Sequence, residues 1–333
     1  MGSDAIALPA LDWLAGAGRA VARVTAVYTP PDRAAGRGQQ VRANAVKLWA
    51  LARGLPVLQP EKIGPAEQAE LAARRPDLCL VMAYGHLLPQ EFLDTPRLGT
   101  LNLHTSLLPR YRGASPIQTA VAAGDRETGV SLMRLVRRMD AGPVAGAERV
   151  PIGPLDTAAE VESRLGQACV PLLARCLPRI AAGTQEFVEQ DPAAVSFCRL
   201  LRKEDGGLDF HQPAAVLAAR VNGLMPWPGC TVPILGQVVK LGLADAIPGQ
   251  GAPGLVRGAD PEGLQVGTGG GILRLRRLQR PGGRMLPAAE FLRGFPVPAG
   301  TPLPSRPMPP LVASQPFARR PPGTPPPAGA GPG

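Results

Sequence analysis

The sequence predicts two folded units: an open, mostly parallel α/β sheet with helices on both sides, followed by a small all-β unit. Three observations predict it. The chain has 333 residues, 45% of them hydrophobic, enough to bury two cores of ordinary size. Through the first half, short apolar or β-branched runs alternate with helical ones, the pattern of parallel strands joined by crossover helices. After about residue 200, short strands follow one another, separated by turns that contain glycine.

Ser3 and Asp4 can cap a helix that runs through Leu8, Leu11 and Leu14 to residues 16–18. Residues 21–29 are β-branched and strand-like, and 30–38 form a turn-rich loop. Residues 41–54 read as helix, 55–58 as a short strand and 65–75 as helix again. Residues 78–83 form an apolar run of the kind buried on both faces of a sheet, and 99–104 form another strand. Pro116 near the first position and Gly124 past the end bracket a helix over 115–123. Residues 130–136 read as a strand. Residues 157–182 read as a long amphipathic helix, which Pro171 and Pro178 should break or kink. Strands at 231–235, 237–243, 254–257, 264–267 and 271–278 then build a small barrel.

The chain thus divides into a first domain over 1–185, a linker over 186–203, a barrel over 204–300 and a tail over 301–333. The tail is mostly Pro, Gly and Ala. Such a composition cannot bury enough apolar surface to offset its ordering entropy, so disorder is expected throughout it. A second reading has its Arg306, Arg319 and Arg320 touching RNA.

Composition excludes several functions. Five cysteines stand at positions 79, 169, 176, 198 and 230, none in a CxxC pair, and only three histidines exist, so no metal site is expected. No signal peptide and no apolar run of 18 residues occurs, which predicts a cytoplasmic protein without a membrane partner. No heptads demand a second copy, so a monomer is expected. The net charge is +10, unevenly placed: 18 Lys and Arg against 13 Asp and Glu in residues 1–150, 3 against 6 in 151–194, and 12 against 7 in 195–300. Two basic bodies joined by an acidic segment suit a polyanion such as nucleic acid. An Arg-rich proteome would give the same excess.

Chemistry concentrates in the run Leu101-Asn102-Leu103-His104-Thr105-Ser106-Leu107-Leu108-Pro109-Arg110-Tyr111-Arg112-Gly113. Asn102 and His104 lie two apart on a strand, so both project from one face while Leu101 and Leu103 turn into packing. A polar pair at the C-terminal end of a parallel strand lies where open α/β sheets bind ligands. A His and an Asn closing a turn by hydrogen bonds fit the same pattern. Asp140, in Met139-Asp140-Ala141-Gly142-Pro143, reads either as a turn former or, placed beside His104, as the group that orients its imidazole. Between Arg33 and Pro60 there are no acids, while Arg33, Arg37, Arg42, Lys47 and Arg53 are basic. An arginine-bearing glycine loop can follow phosphates; a solvated surface loop fits equally. Arg274 and Arg276 share a strand face opposite Leu273 and Leu275. They begin a second cationic stripe, read as a nucleic-acid backbone contact or as a plain solvated strand.

Asn102-x-His104, the Ser106-Leu107-Leu108-Pro109 run, Arg112-Gly113 and the Asp140 that follows resemble the catalytic domain of folate-dependent formyltransferases. Within them, Pro31-Asp32-Arg33-Ala34-Ala35-Gly36-Arg37-Gly38, Leu55-Pro56-Val57-Leu58-Gln59-Pro60, Ala83-Tyr84-Gly85, Gly113-Ala114-Ser115-Pro116-Ile117-Gln118, Lys203-Glu204-Asp205 and Pro226-Trp227-Pro228-Gly229 are similar to methionyl-tRNA formyltransferases. The resemblance spans roughly residues 1–300. It implies a Rossmann-like catalytic domain and an OB-like, tRNA-binding barrel. It implies a formyl donor, 10-formyltetrahydrofolate, and an acceptor, initiator methionyl-tRNA. Asn102, His104 and Asp140 would be catalytic. Ser106, Leu107, Leu108 and Pro109, with Tyr84 and Gly85, would line the folate site. Arg33, Arg37, Arg42 and Lys47 would meet tRNA, with Arg274 and Arg276 in the barrel. The alternatives are a formyltransferase acting on an amino sugar nucleotide and an inactive RNA-binding module.

The chain departs from this family in two places. Relatives open with a hydrophobic strand of the type Arg-Ile-Val-Phe ahead of a Gly-Thr-Pro-Asp-Phe turn, whereas Met1-Gly2-Ser3-Asp4-Ala5-Ile6 begins at that turn. The resemblance therefore places a central first strand upstream of Met1. Its loss removes a ladder partner and several buried side chains, each worth about 1.5–3 kcal/mol. Arg137-Arg138-Met139 also precedes Asp140 where many relatives carry Gly-Leu.

Overall fold

A computed structural model describes residues 1–35 and 40–318. In chain order the first domain contains α1 (Leu8–Ala15), β1 (Val27–Tyr28), β2 (Arg33–Ala35), β3 (Gln40–Arg42), α2 (Ala45–Leu51), β4 (Val57–Leu58), α3 (Pro65–Ala73), β5 (Cys79–Val81), α4 (Gln90–Leu93), β6 (Thr100–His104), β7 (Arg112–Gly113), α5 (Pro116–Ala122), β8 (Glu127–Arg134), β9 (Val144–Pro151) and α6 (Ala158–Ala181). Its main sheet runs β5-β6-β8-β9. β5 and β6 are parallel, with Val81 opposite Asn102, while β8 and β9 continue the sheet antiparallel. The mixed α/β architecture is as the sequence indicates, but β9 had no sequence signal. Its burial alternates weakly, because one face only partly packs beneath α6.

The apolar stripe of α6 explains why two prolines fail to break it. Val161, Leu165, Cys169, Leu172, Leu173, Cys176, Leu177 and Ile180 are buried against the sheet residues Leu101, Leu103, Val130 and Leu132. Pro171 and Pro178 lie on the exposed face, as do Gln167 and Ala174, whose carbonyls lose their intrahelical donors to the prolines and can turn to water. Each proline costs about 3 kcal/mol or more. Burial of eight apolar side chains at about 1.5–3 kcal/mol each outweighs that.

The strand expected over 21–29 is reduced to Val27–Tyr28, paired in parallel with Val57–Leu58. Only residues 1–3 bridge β1 to β5: Gly2 N–H donates to Tyr28 O at 3.0 Å, Met82 N–H to Met1 O at 2.9 Å, and Ser3 N–H to Ala83 O at 3.2 Å. The Met1 ammonium donates to Leu80 O at 2.6 Å, a position a peptide N–H takes in a ladder. Beyond it the sheet parts into a cavity of about 750 Å³, lined by Leu11, Leu14, Val24, Val27, Leu80 and Leu103 together with polar residues such as Arg23, Arg74 and Asp77. Residues 21–26 flank that slot with no ladder partner on this side, and they stay irregular.

The second unit contains β10 (Phe197–Cys198), α7 (Ala214–Gly223), β11 (Cys230–Ile234), β12 (Gln237–Ile247), β13 (Val256–Asp260), β14 (Gly263–Gly267), β15 (Ile272–Gln279), β16 (Leu286–Pro287), α8 (Ala288–Gly294) and β17 (Val312–Ala313). All five expected strands form one antiparallel sheet in the order β11-β12-β15-β14-β13. Its core is built from Leu217, Val221, Val239, Leu241, Leu264, Leu273 and Leu275.

The tail expectation requires a correction. Residues 301–318 are packed. Leu303 and Leu311 are buried, Leu303 N–H donates to Gly254 O at 2.7 Å, and Arg306 N–H to Leu208 O at 2.7 Å. Val312–Ala313 adds an antiparallel strand to Phe197–Cys198. Proline has little backbone freedom to lose, so a few such bonds suffice to order the segment. Residues 319–333, with Arg319 and Arg320, lie outside the described residues.

Candidate active site

Strand β6 ends the way its alternation demands. Leu101 and Leu103 are buried in the core, while Asn102 and His104 turn to the opposite face. β8 pins them from the side: Met133 lies opposite Asn102 and Ser131 opposite His104. His104 is 6% exposed. Its Nε2 lies 2.9 Å from the carbonyl oxygen of Tyr111. A carbonyl only accepts, so Nε2 carries a proton and donates it there. Nδ1 is left facing Asp140, whose Oδ2 lies 3.8 Å away. That distance is beyond a direct hydrogen bond. The strongest orienting contact on the ring is therefore the Tyr111 carbonyl, which sequence reasoning missed because backbone direction leaves no residue-type signal.

Tyr111 is itself held firmly. Its φ is +57°, a left-handed conformation that non-glycine residues rarely adopt. Ser196 Oγ accepts from its N–H at 3.0 Å, and its hydroxyl donates to Asp125 Oδ2 at 2.7 Å. Burial, then the Asp125 carboxylate, push the Tyr111 hydroxyl well above its usual value, so it stays a donor. Asp140 also has a left-handed backbone, φ +48°. Its Oδ2 accepts the Gly113 N–H at 2.8 Å. Gly113 has φ +124°, and a Cβ there would meet Cys198 O at 2.0 Å, so only glycine brings this N–H to the carboxylate.

Residues 106–109 pack against β8 at Gly129 and Ser131. Ser131 Oγ donates to Ser106 O at 2.7 Å and accepts from Leu108 N–H at 3.1 Å, while Ser106 Oγ donates to Arg110 O at 2.6 Å. Leu107 packs over Gly129, where a Cβ would meet its Cδ2 at 2.4 Å. Ser106 is therefore buried as a loop fastener, whereas Leu107, Leu108 and Pro109 remain half-exposed. Tyr84 is buried, stacked 5.0 Å from His86, and Gly85 is exposed with φ +77°. The Asn102 amide makes no protein hydrogen bond among the described residues, so an N–H donor stands two positions along the strand from an imidazole that faces a carboxylate. That donor set fits a carbonyl that gains negative charge while a neighbouring amine loses a proton.

The cationic residues divide. Arg33 and Arg42 face each other across the β2–β3 hairpin, and Arg37 lies outside the described residues. Lys47 is paired with Asp32, whose other oxygen accepts from Gln59 at 2.9 Å. Arg274 is 14% exposed at its side chain and grips Asp245, Asp260 and Glu262, while Arg276 shares Asp245 and Glu262. Much of this barrel charge is neutralised within the strand face.

Comparison with known proteins identifies the family. The family model described as Formyl transferase matches residues 11–177, and that of the Formyl transferase C-terminal domain matches 200–296. A methionyl-tRNA formyltransferase of Ectopseudomonas mendocina is 46% identical over 269 residues, covering 80% of this chain and 86% of that protein. One from Burkholderia multivorans is 44% identical over 286 residues, covering 82% and 88%. Among solved structures, a sugar 3N-formyl transferase, WlaRD, matches with a TM-score of 0.61 at 13% identity, over 82% of this chain and 95% of that one. HypX of Aquifex aeolicus, solved with tetrahydrofolic acid, matches at 0.54 and 22% identity, over 74% and 44%; both bear on the fold alone. With both family domains in sequence and close relatives along four-fifths of its length, the chain belongs to the methionyl-tRNA formyltransferase family.

Proposed function

We propose that the chain moves the formyl group of 10-formyltetrahydrofolate onto the amino group of methionine carried by initiator tRNA. The observation that carries this reading is His104 Nδ1 facing Asp140 Oδ2 at 3.8 Å at the end of β6, with Asn102 two positions earlier on the same strand. The donor supplies a formyl carbon already activated by its bond to a folate nitrogen. Asn102 donates to the formyl oxygen as charge builds there. His104 has its Nε2 proton committed to Tyr111. It takes the amine's proton at Nδ1 as the new C–N bond forms and delivers one to the folate nitrogen as the old C–N bond breaks. Asp140 faces the imidazolium so formed and stabilises it. Leu107, Leu108 and Pro109, with Tyr84 and Gly85, provide the folate walls, and Ser106 fastens the loop.

Arg33 and Arg42 on the hairpin, with Arg37 between them in sequence and Lys47 beyond, meet the tRNA backbone. Arg274 and Arg276 add a weaker second contact, because nearby carboxylates already offset their charge. The test is a formyl-transfer assay on the purified protein with 10-formyltetrahydrofolate and, in separate arms, charged initiator tRNA or an amino sugar nucleotide. Formyl incorporation only in the tRNA arm is expected. Incorporation only into the sugar, or into neither, defeats the reading.

A further inference from the structure

We infer that Gln190, in the linker between the two domains, is a positioning residue whose side-chain amide locks the Asp140 loop in the one conformation that aims its carboxylate at His104. The inference rests on Asp140 acting as proposed above. Gln190 Nε2 donates to Asp140 O at 2.8 Å and to Gly142 O at 2.7 Å. Its Oε1 accepts from Arg112 Nε at 3.1 Å and Nη2 at 2.8 Å. Two carbonyls on one side and a guanidinium on the other dictate the amide's orientation, since carbonyls only accept and guanidinium only donates. All four bonds are made by one group.

The lock is needed because Asp140 sits at φ +48°, a conformation costing about 1–2 kcal/mol for a residue with a Cβ. The loop is also pressed against the end of β8. A Cβ on Gly142 would meet Arg134 O at 1.9 Å, and Arg134 N–H donates to Pro143 O at 3.0 Å. The linker is fixed in turn by paired Val144–Val188 backbone bonds of 2.8 and 2.9 Å. Arg112 is 4% exposed and adjoins Gly113, the residue whose N–H holds the Asp140 carboxylate. One amide therefore ties both the backbone of Asp140 and, through Arg112, the strand that binds its carboxylate. The residue is 50 positions from Asp140 in sequence.

Only a side chain with Gln's length and both amide functions can do this. Gln190→Glu keeps the acceptor for Arg112 but sets an oxygen against two carbonyls. Gln190→Met keeps the volume and removes all four bonds. Both are expected to lower kcat about 10- to 100-fold, as misplacement by an ångström does. KM for folate and for tRNA should stay within about 2-fold of wild type, because the folate and tRNA contacts are untouched. In an Asp140→Asn background either change should cost nothing further, because the residue acts through Asp140. Wild-type kcat in both variants, a loss confined to KM, or full additivity with Asp140→Asn overturns the inference. If Asp140→Asn alone retains full activity, the catalytic reading fails first and this one with it. Should one variant unfold, the other is read alone.

Discussion

The Nε2 of His104 donates to the carbonyl oxygen of Tyr111 across 2.9 Å, and this leaves Nδ1 as the ring nitrogen without that commitment. In the reaction proposed above, Nδ1 is therefore the nitrogen that would handle the proton. Replacement of His104 by Ala should lower kcat by about 100-fold or more, and Asn102→Ala similarly, with tRNA binding unchanged. Steady-state kinetics beside a filter-binding assay check both. If His104→Ala kept more than about a tenth of wild-type activity, the assignment would be wrong.

The barrel arginines should behave as structure before they behave as ligand contacts. Burial pushes the Asp245 carboxyl up, but its hydrogen bonds from Arg274 and Arg276 outweigh that and hold it below the usual range. Removing Asp245 leaves Arg274 with Asp260 and Glu262 and Arg276 with Glu262, so Asp245→Ala should destabilise the chain by about 1–2 kcal/mol in urea unfolding. Since Asp245 is held low, its share of stability is present above the unfolded carboxylate range and is lost as pH falls into and below it. On the hairpin, Arg33→Ala should flatten the salt dependence of tRNA binding by about one ion. Arg276→Ala should flatten it less. Equal slopes for the two would contradict a weaker contact at the barrel.

The thiols should set an alkaline limit. Burial pushes Cys169, Cys198 and Cys230 up to about 12, whereas unfolded thiols titrate near about 8.5. In that interval the folded chain keeps protons that the unfolded chain has lost. The contribution is therefore complete below about pH 8.5 and falls steadily towards 12. Urea midpoints measured from pH 7 to 10 should be flat and then decline. A thiol reagent at pH 8 should find these three unreactive until the chain unfolds, and rapid labelling of the native protein would count against it.

The slot beside β1 should accept a strand. Five apolar, β-branched residues joined ahead of Met1 would replace its ammonium by a peptide N–H at Leu80 O and fill the cavity. Burial of two or three such side chains should raise Tm by about 5 °C or more. A matched extension containing two prolines should leave Tm unchanged, because it cannot complete the ladder. Identical melting of both extended chains would show that the slot does not select a strand.

Much of the site was legible because it is encoded locally. Alternation alone put Asn102 and His104 on one face, and the strand-end position marked them as candidates to face a ligand. Asp140 was readable as a turn former near a strand end. Its φ of +48° and its approach to His104 were not. Gln190 gave no signal, since a glutamine in a linker looks like any solvated residue until the chain folds its amide onto a loop 50 residues away. The proline-bearing α6 and the packed residues 301–318 were misread for a related reason. Local propensity was outweighed by burial of a long apolar stripe in one case and by long-range backbone bonds in the other.

The sequence by itself determined the element types, the two-domain order, the polar pair on β6 and the family to which the chain belongs. Periodicity, turn residues and motif spacing are properties of neighbours in the chain. Only the tertiary structure decided which imidazole nitrogen is free, what holds Asp140, and which arginines are already paired. Each depends on groups that meet across tens of residues, and the direction of a carbonyl or an amide is fixed by backbone packing, not by residue type.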